Sequence, residues 1–156
     1  MNNIEPGRWA LWLSFPLAVI LAIASCGGLF LPSVYADETR RQTALSIGND
    51  AGNLALIVPV LVLAAILALR GSCAARLVWM GALAYLVYDF LGYALAIHFN
   101  SMFLAYCGVL GLSFYALAGS LIALPTAEIA GRYGPRTPAK TAASVFLLMG
   151  VAIVFH

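Results

Sequence analysis

The sequence predicts an all-α fold, a polytopic membrane helix bundle of about five transmembrane helices. Hydrophobic residues make up 63% of the 156-residue chain and charged residues only 9%, whereas soluble proteins carry about 25% charge. The apolar residues also form long uninterrupted blocks. Because a helix needs roughly 20 apolar residues to cross a bilayer core of about 30 Å, we expect a single transmembrane domain over residues 1–156.

Four apolar runs are long enough to span a membrane, and a shorter fifth run follows the last polar segment. The fifth run reaches spanning length only if Ala139 and Lys140 begin its helix and the bilayer thins slightly. The predicted helices cover residues 9–31, 51–70, 76–97, 101–124 and 139–156.

Proline residues interrupt the first two predicted helices, at Pro16 and Pro59. Each proline lacks a backbone N–H and leaves the carbonyl four residues earlier, at Trp12 and Ala55, without its usual partner. We expect a local bend at each proline, of the kind that neighbouring helices repair. Such bends also line binding cavities in some transporters.

The distribution of basic residues predicts the orientation of the chain. Arg70 and Arg76 bracket the second loop and three more basic residues lie within residues 132–140, whereas the turn at residues 98–101 has no Lys or Arg. Cytoplasmic loops concentrate these residues. We therefore expect a multi-pass protein of the inner (plasma) membrane with its amino terminus, including Arg8, in the cytoplasm.

The beginning of the chain also has features of a removable leader. Val34-Tyr35-Ala36 resembles a signal-peptidase site, and Ile23-Ala24-Ser25-Cys26 resembles a lipoprotein box. The apolar run at residues 9–31 is, however, longer than the core of a leader, which has about 7–15 residues. We expect this run to be retained as the first helix.

Residues 32–50 are predicted to form the longest external loop. The run Gly48-Asn49-Asp50 has the composition of a helix amino-terminal cap. A carboxylate beside the positive end of a helix needs no functional explanation. We therefore expect Asp50 to lie at the start of the second helix, too far in depth from Asp89 to share a proton with it.

Asp89 is the only ionisable residue deep inside an apolar run. Counting from the external turn places it near the bilayer midplane, where a charged Asp costs about 2.5–3.5 kcal/mol. Tyr85 and Tyr93 lie one turn to either side on the same helix face, and Ser113 is the expected hydroxyl donor on the next helix. These four residues form the candidate functional polar site, and the alternative is an inward-facing Asp that only fixes helix packing.

The short turn between the third and fourth helices contains two weaker candidates, His98 and Asn100. A lone interfacial His lacks the neighbours of a metal site, so we expect His98 to be a solvated turn residue. External proton entry is its alternative role. Asn100 or Ser101 is predicted to cap the fourth helix.

The same short turn predicts that the third and fourth helices are antiparallel neighbours. Gly108, Gly111 and Gly119 share one face of the fourth helix and are expected to form its packing contact. Trp79 is expected in an interfacial aromatic belt, and Cys107 is expected to be a small buried packing residue.

A longer pattern covers about half of the chain. An Asp-capped apolar helix, a basic turn, a Tyr-rich helix and an aromatic-Asn turn follow one another in residues 50–124. This stretch resembles an uncharacterised group of bacterial polytopic membrane proteins, which implies a multi-pass topology but no activity. The matching positions are Tyr85, Tyr88, Asn100, Tyr106, Ser113 and Tyr115.

The sequence lacks the motifs that would indicate an enzyme. The chain has no HExxH, no glycine-rich phosphate loop and no GxSxG, and its three cysteines lack metal-ligand spacing. Tyr88-Asp89 matches half of the intramembrane aspartyl protease pattern, but the fourth helix supplies no second acidic residue. No cofactor or metal is therefore predicted, and a net charge of +2 is too small to indicate nucleic-acid binding.

Two functions fit this sequence best. The expected one is a non-catalytic membrane component or partner-binding subunit, which contacts the lipid bilayer and other membrane subunits or further copies of itself. The alternative is a proton- or cation-linked transporter or channel subunit that uses Asp89. A membrane-embedded enzyme is the third and weakest hypothesis.

The predicted orientation can be tested by cysteine labelling. In a variant without native cysteines, a Cys placed at Asn100 should react with a membrane-impermeant maleimide added outside intact cells, because this turn is predicted to be periplasmic. A Cys placed at Ser72 should react only after permeabilisation. The reverse pattern would show that the orientation is wrong.

Overall fold

The computed structural model describes residues 8–123, which form four long helices joined by short connections. Each helix is long and apolar enough to cross a membrane, and this part of the chain contains no strand. The all-α fold is thus confirmed. The predicted fifth helix, residues 139–156, lies outside the described residues. The helices are α1 (Arg8–Phe30), α2 (Arg40–Leu69), α3 (Cys73–Ala96) and α4 (Phe103–Ile122).

The four helices form a closed ring of neighbours. Helix α3 packs between α2 and α4, and α1 packs against the same two helices from the other side. The bundle core contains large side chains that are fully buried, among them Trp79, Phe90 and Tyr106. As predicted, α3 and α4 form an antiparallel hairpin. The Asn100 Oδ1 atom accepts the backbone N–H of Met102 at 2.8 Å, but Met102 itself occupies the cap position of α4 and no side chain caps this helix, so the predicted cap by Asn100 or Ser101 is wrong.

Helix α1 is interrupted at Leu13, three residues before Pro16. Pro16 has no N–H for the carbonyl of Trp12, so one bond of the helix ladder is missing there. The ladder resumes where the backbone N–H of Leu17 donates to the Leu13 carbonyl at 3.1 Å. The predicted bend is therefore a break of a single residue.

Helix α2 begins at Arg40 and not near residue 51, which corrects the predicted loop. Pro32–Tyr35 forms a 3₁₀ turn, and the Thr39 side chain then caps α2 by accepting the backbone N–H of Gln42 at 3.2 Å. Thr-x-x-Gln is a capping-box pattern that marks a helix start. The sequence suggested a loop because this first part of α2, Arg40–Gly52, is mostly polar and lacks a long apolar run.

A π turn widens α2 at Asn53–Ile57. In this turn the backbone N–H of Val58 bonds to the Asn53 carbonyl, five residues earlier. Pro59 follows directly and leaves the carbonyl of Ala55 without its usual donor. The π turn adds a residue to the helix face, which rotates the side chains before it relative to those after it.

The predicted glycine face of α4 contacts α1 and not α3. A Cβ atom on Gly119 would overlap the ring of Trp9, and one on Gly108 would lie 3.6 Å from the Ile20 side chain. A Cβ atom on Gly111 would meet nothing within 4 Å. Two of the three glycines thus lie at a helix contact, and Gly111 does not.

Two further predictions about single residues are wrong. Trp79 is fully buried, and its indole N–H donates to the Ser14 hydroxyl at 2.7 Å. An indole that finds a hydroxyl partner inside the bundle has no need of the polar interface. Cys107 is exposed on α4 instead of packed in the core.

The close approach of α1 and α4 leads to a stability prediction. Gly119→Leu should lower the free energy of unfolding by about 1–3 kcal/mol, because the new side chain would overlap the Trp9 ring. Gly111→Leu is the matched control and should have a much smaller effect, since the space beside it is open. Denaturant unfolding in micelles, followed by tryptophan fluorescence, would measure both. Equal destabilisation would contradict this packing arrangement.

Candidate functional site

Asp89 faces helix α2 and is held by two carboxamides. Its Oδ1 atom accepts the side-chain N–H of Asn49 at 3.2 Å, and its Oδ2 atom accepts that of Asn53 at 3.2 Å. The two Asn residues are four positions apart and therefore lie one above the other on the same face of α2. The inward orientation predicted for Asp89 is confirmed, but its partners come from α2 and not from α4.

A second carboxyl, that of Asp50, is buried on the same helix. Only 1% of Asp50 is exposed, and its Oδ2 atom accepts the Tyr35 hydroxyl at 2.6 Å. Within residues 8–123, its Oδ1 atom has no hydrogen-bond partner. The prediction that Asp50 lies at the start of the second helix, far in depth from Asp89, is therefore wrong, because α2 begins ten residues before it and carries both of the carboxamides that bind Asp89.

Helix α1 packs directly over the Tyr35–Asp50 pair at Gly28, which has no side chain. A Cβ atom on Gly28 would overlap the Asp50 carboxylate and would lie 2.7 Å from the Tyr35 hydroxyl. Ser25, one turn earlier on α1, is fully buried beside the same carboxyl. Burial raises the pKa of the Tyr35 phenol above its ordinary value, so Tyr35 remains a neutral hydrogen-bond donor.

The two predicted tyrosine neighbours of Asp89 donate their hydroxyl groups to helix α2, and Tyr85 also lies close to the Asp89 carboxyl. The Tyr85 hydroxyl donates to the Asn53 Oδ1 atom at 3.3 Å, and the Tyr93 hydroxyl donates to the backbone carbonyl of Ser46 at 3.1 Å. Tyr85 thereby fixes the carboxamide that donates to Asp89. Tyr93 attaches α3 to α2 one turn closer to the connection between α3 and α4.

Ser113 does not contact Asp89, which corrects the prediction of a bond across the hairpin. Its hydroxyl donates to the carbonyl of Val109 at 2.6 Å, four residues earlier on α4, and lies 3.1 Å from that of Leu110. A helical serine commonly satisfies its hydroxyl in this way. Ser113 is buried within α4, while Asp89 points towards α2.

Neither carboxyl has a basic partner in the part of the chain that the structure describes. The one ion pair found there joins His98 to Glu38, with 2.9 Å between Nδ1 and Oε1. In the same region no three His, Cys, Asp or Glu side chains lie close enough to hold a metal ion. Asp50 and Asp89 therefore rely on hydroxyl and carboxamide groups, which carry no charge.

His98 connects the turn between α3 and α4 to the start of α2. Its backbone N–H donates to the Glu38 carboxylate at 2.7 Å, and its ring contacts the same oxygen. These bonds lower the pKa of Glu38, and the side-chain bond raises the pKa of His98. The His98 side chain is 67% exposed, as expected for a solvated turn residue, but its acidic partner was missed.

An open groove leads to Asp89 between α2 and α3, and we call it the α2–α3 groove. Its volume is about 450 Å³, and its walls are formed by residues 42–49 and 88–97. Asn49 and Asp89 line the end that is farther from the His98 turn, which we call the inner end. The other end is near Ile97, about 12 Å away at 1.5 Å per helical residue.

Comparisons with protein-family models, curated proteins and solved structures found no match for this chain. The resemblance of residues 50–124 to a bacterial group therefore stays a prediction. The two carboxyls, their hydrogen-bond partners and the groove are the structural features that bear on function.

The hydrogen bond between Tyr35 and Asp50 leads to a second stability prediction. Tyr35→Phe should lower the free energy of unfolding by about 1–3 kcal/mol, because the buried carboxyl would lose its donor. Tyr88→Phe is the matched control, since Tyr88 is 61% exposed. Thermal unfolding of both variants in the same detergent would compare them. A Tyr35→Phe protein as stable as the control would show that this bond does not support the fold.

Proposed function

We propose that this chain is a multi-pass inner-membrane protein that binds a proton or a small cation at Asp89 and acts as a transporter or channel component. The observation that carries the proposal is the position of Asp89 at the inner end of the α2–α3 groove. An intramembrane carboxylate is a candidate functional group because its burial is costly. The groove would give a ligand access to it.

The hydrogen bonds of Asp89 are consistent with ligand binding. Asn49 and Asn53 donate one bond each, whereas an ionised carboxylate can accept about four. Two neutral donors reduce the cost of burying the charge but do not cancel it. A proton or cation reaching Asp89 through the groove would neutralise the remaining charge.

The local helix geometry adds a second line of support. Asn53 belongs to the π turn of α2 and is fully buried. Single π turns in long helices often occur at functional sites. A rearrangement of this turn would move a carboxamide that donates to Asp89, and so would change how strongly the carboxylate binds a proton.

The orientation proposed from loop charge determines from which side of the membrane Asp89 is reached. The groove lies between the first turns of α2 and the last turns of α3, at the same end of the bundle as the His98 turn. If this turn is periplasmic, Asp89 is reached from the periplasmic side. The amino terminus, in the cytoplasm, then lies at the opposite end.

The partner-binding subunit is retained as a second candidate function. The observation in its favour is that both oxygens of Asp89 already accept hydrogen bonds from α2. Such bonds hold membrane helices together without any ligand. In this case Asp89 would stabilise a non-catalytic component that associates with other subunits or with copies of itself.

Replacing Asp89 by Asn would separate the two candidates. The amide keeps the shape and most of the hydrogen-bonding capacity but cannot titrate. If Asp89 handles protons or cations, Asp89→Asn should keep a melting temperature close to that of the wild type and should abolish flux. Flux would be measured in liposomes with a pH-sensitive dye and with rubidium uptake.

Asp37→Asn is the matched control, because Asp37 is exposed and precedes α2. It should leave flux unchanged. Flux by a well-folded Asp89→Asn protein at the wild-type rate, or no flux by the wild type, would remove the transport proposal and favour the partner-binding subunit.

A further inference from the structure

The size of the α2–α3 groove exceeds what a proton or a bare ion requires. Its volume of about 450 Å³ would hold roughly fifteen water molecules at about 30 Å³ each. It lies within the range of about 300–1,000 Å³ that is typical of sites for organic ligands. The groove therefore has space for a molecule with several carbon atoms.

The chemical character of the groove changes along its length. Its inner end presents the carboxylate of Asp89 and the carboxamide of Asn49. Towards its other end the walls carry the side chains of Leu45, Leu91 and Leu95, which are 55%, 47% and 79% exposed. A ligand that matches this arrangement has one polar cationic end and an apolar remainder.

The absence of basic residues from the lining defines the charge of the ligand. No Lys or Arg is among the groove-lining residues that the structure describes. An anionic head group would have no partner there, and a zwitterionic phospholipid would leave its phosphate unpaired. An ammonium group can donate hydrogen bonds to the free acceptor positions of Asp89, and charge-assisted bonds of this type are the stronger ones.

We propose that the α2–α3 groove binds an amphiphilic organic ammonium, an alkylamine whose charged head group pairs with Asp89 and whose chain lies along the leucines. The proposal rests on the cation-binding function above and defines its ligand class. Because Leu91 and Leu95 are exposed on the outer surface of the bundle, the amine enters sideways from the outer leaflet of the membrane. Binding pairs the carboxylate with a cation and packs the alkyl chain against the leucines.

Small residues above Asp89 provide the space for the ligand and a way to test it. Gly92 and Ala96 line the groove three and seven positions after Asp89, on the same side of α3. A Cβ atom on Gly92 would meet nothing within 4 Å. Gly92→Leu should therefore fold normally, leave the Asp89 carboxyl intact and fill the groove.

The test is equilibrium dialysis of radiolabelled octylamine against lipid nanodiscs that contain the full chain, with empty nanodiscs as the reference. The wild type should show saturable binding above the reference. Asp89→Asn should weaken it about tenfold or more, because a charge-assisted bond is lost. Gly92→Leu should abolish it, and the matched control Gly111→Leu, an equally open glycine on α4, should bind normally.

Octanol, with the same chain and no charge, should not compete with octylamine. Competition by octanol at the same concentrations, or octylamine binding that neither Asp89→Asn nor Gly92→Leu reduces, would overturn the proposal. Rubidium or proton flux without saturable octylamine binding would also overturn it, while leaving the proposed function intact. Saturable octylamine binding without ion flux would support the amine site and would remove inorganic-ion transport.

Discussion

The hydrogen bond between Tyr35 and Asp50 is the constraint on which the rest of the site depends. It joins the connection after α1 to the middle of α2 in a place where Asp50 is only 1% exposed. A buried carboxyl that loses its donor costs about 1–3 kcal/mol. Gly28 allows α1 to pack directly over the pair. The bond therefore fixes the rotation of α2 about its own axis relative to α1.

Once that rotation is fixed, the positions of the carboxamides follow. Asn49 and Asn53 flank Asp50 in the sequence and lie four residues apart, so both point towards α3 when Asp50 points towards the α1 side. They then meet the two oxygens of Asp89. The two carboxyls differ as a result: Asp50 is enclosed and structural, whereas Asp89 is reached from the α2–α3 groove.

The inward orientation of Asp89 could be predicted from its sequence position, because the cost of a lipid-facing carboxyl leaves few alternatives. The hydrogen-bond partners of Asp89 could not be predicted in this way. They depend on where α2 begins. The capping pattern at Thr39-x-x-Gln42 lies in a polar stretch whose composition is typical of a loop. With α2 extended back to Arg40, the Asn and Asp residues at 49, 50 and 53 would have formed a recognisable polar stripe. The prediction that Ser113 binds Asp89 was wrong for a different reason, since a backbone carbonyl of its own helix is always within reach of the serine hydroxyl.

The π turn connects the structural carboxyl with the accessible one. Asn53 begins the turn and holds Asp89 from one side, while its Oδ1 atom accepts the Tyr85 hydroxyl from the other. A regular α-helix at this point would rotate the preceding residues, Asn49 and Asp50, relative to the apolar face that follows Pro59. Asp50 could then not stay beneath Gly28 while Val58–Leu69 keeps its packing against α3. The π turn thus permits one helix to satisfy a buried carboxyl on one side and to hold an accessible carboxyl on the other.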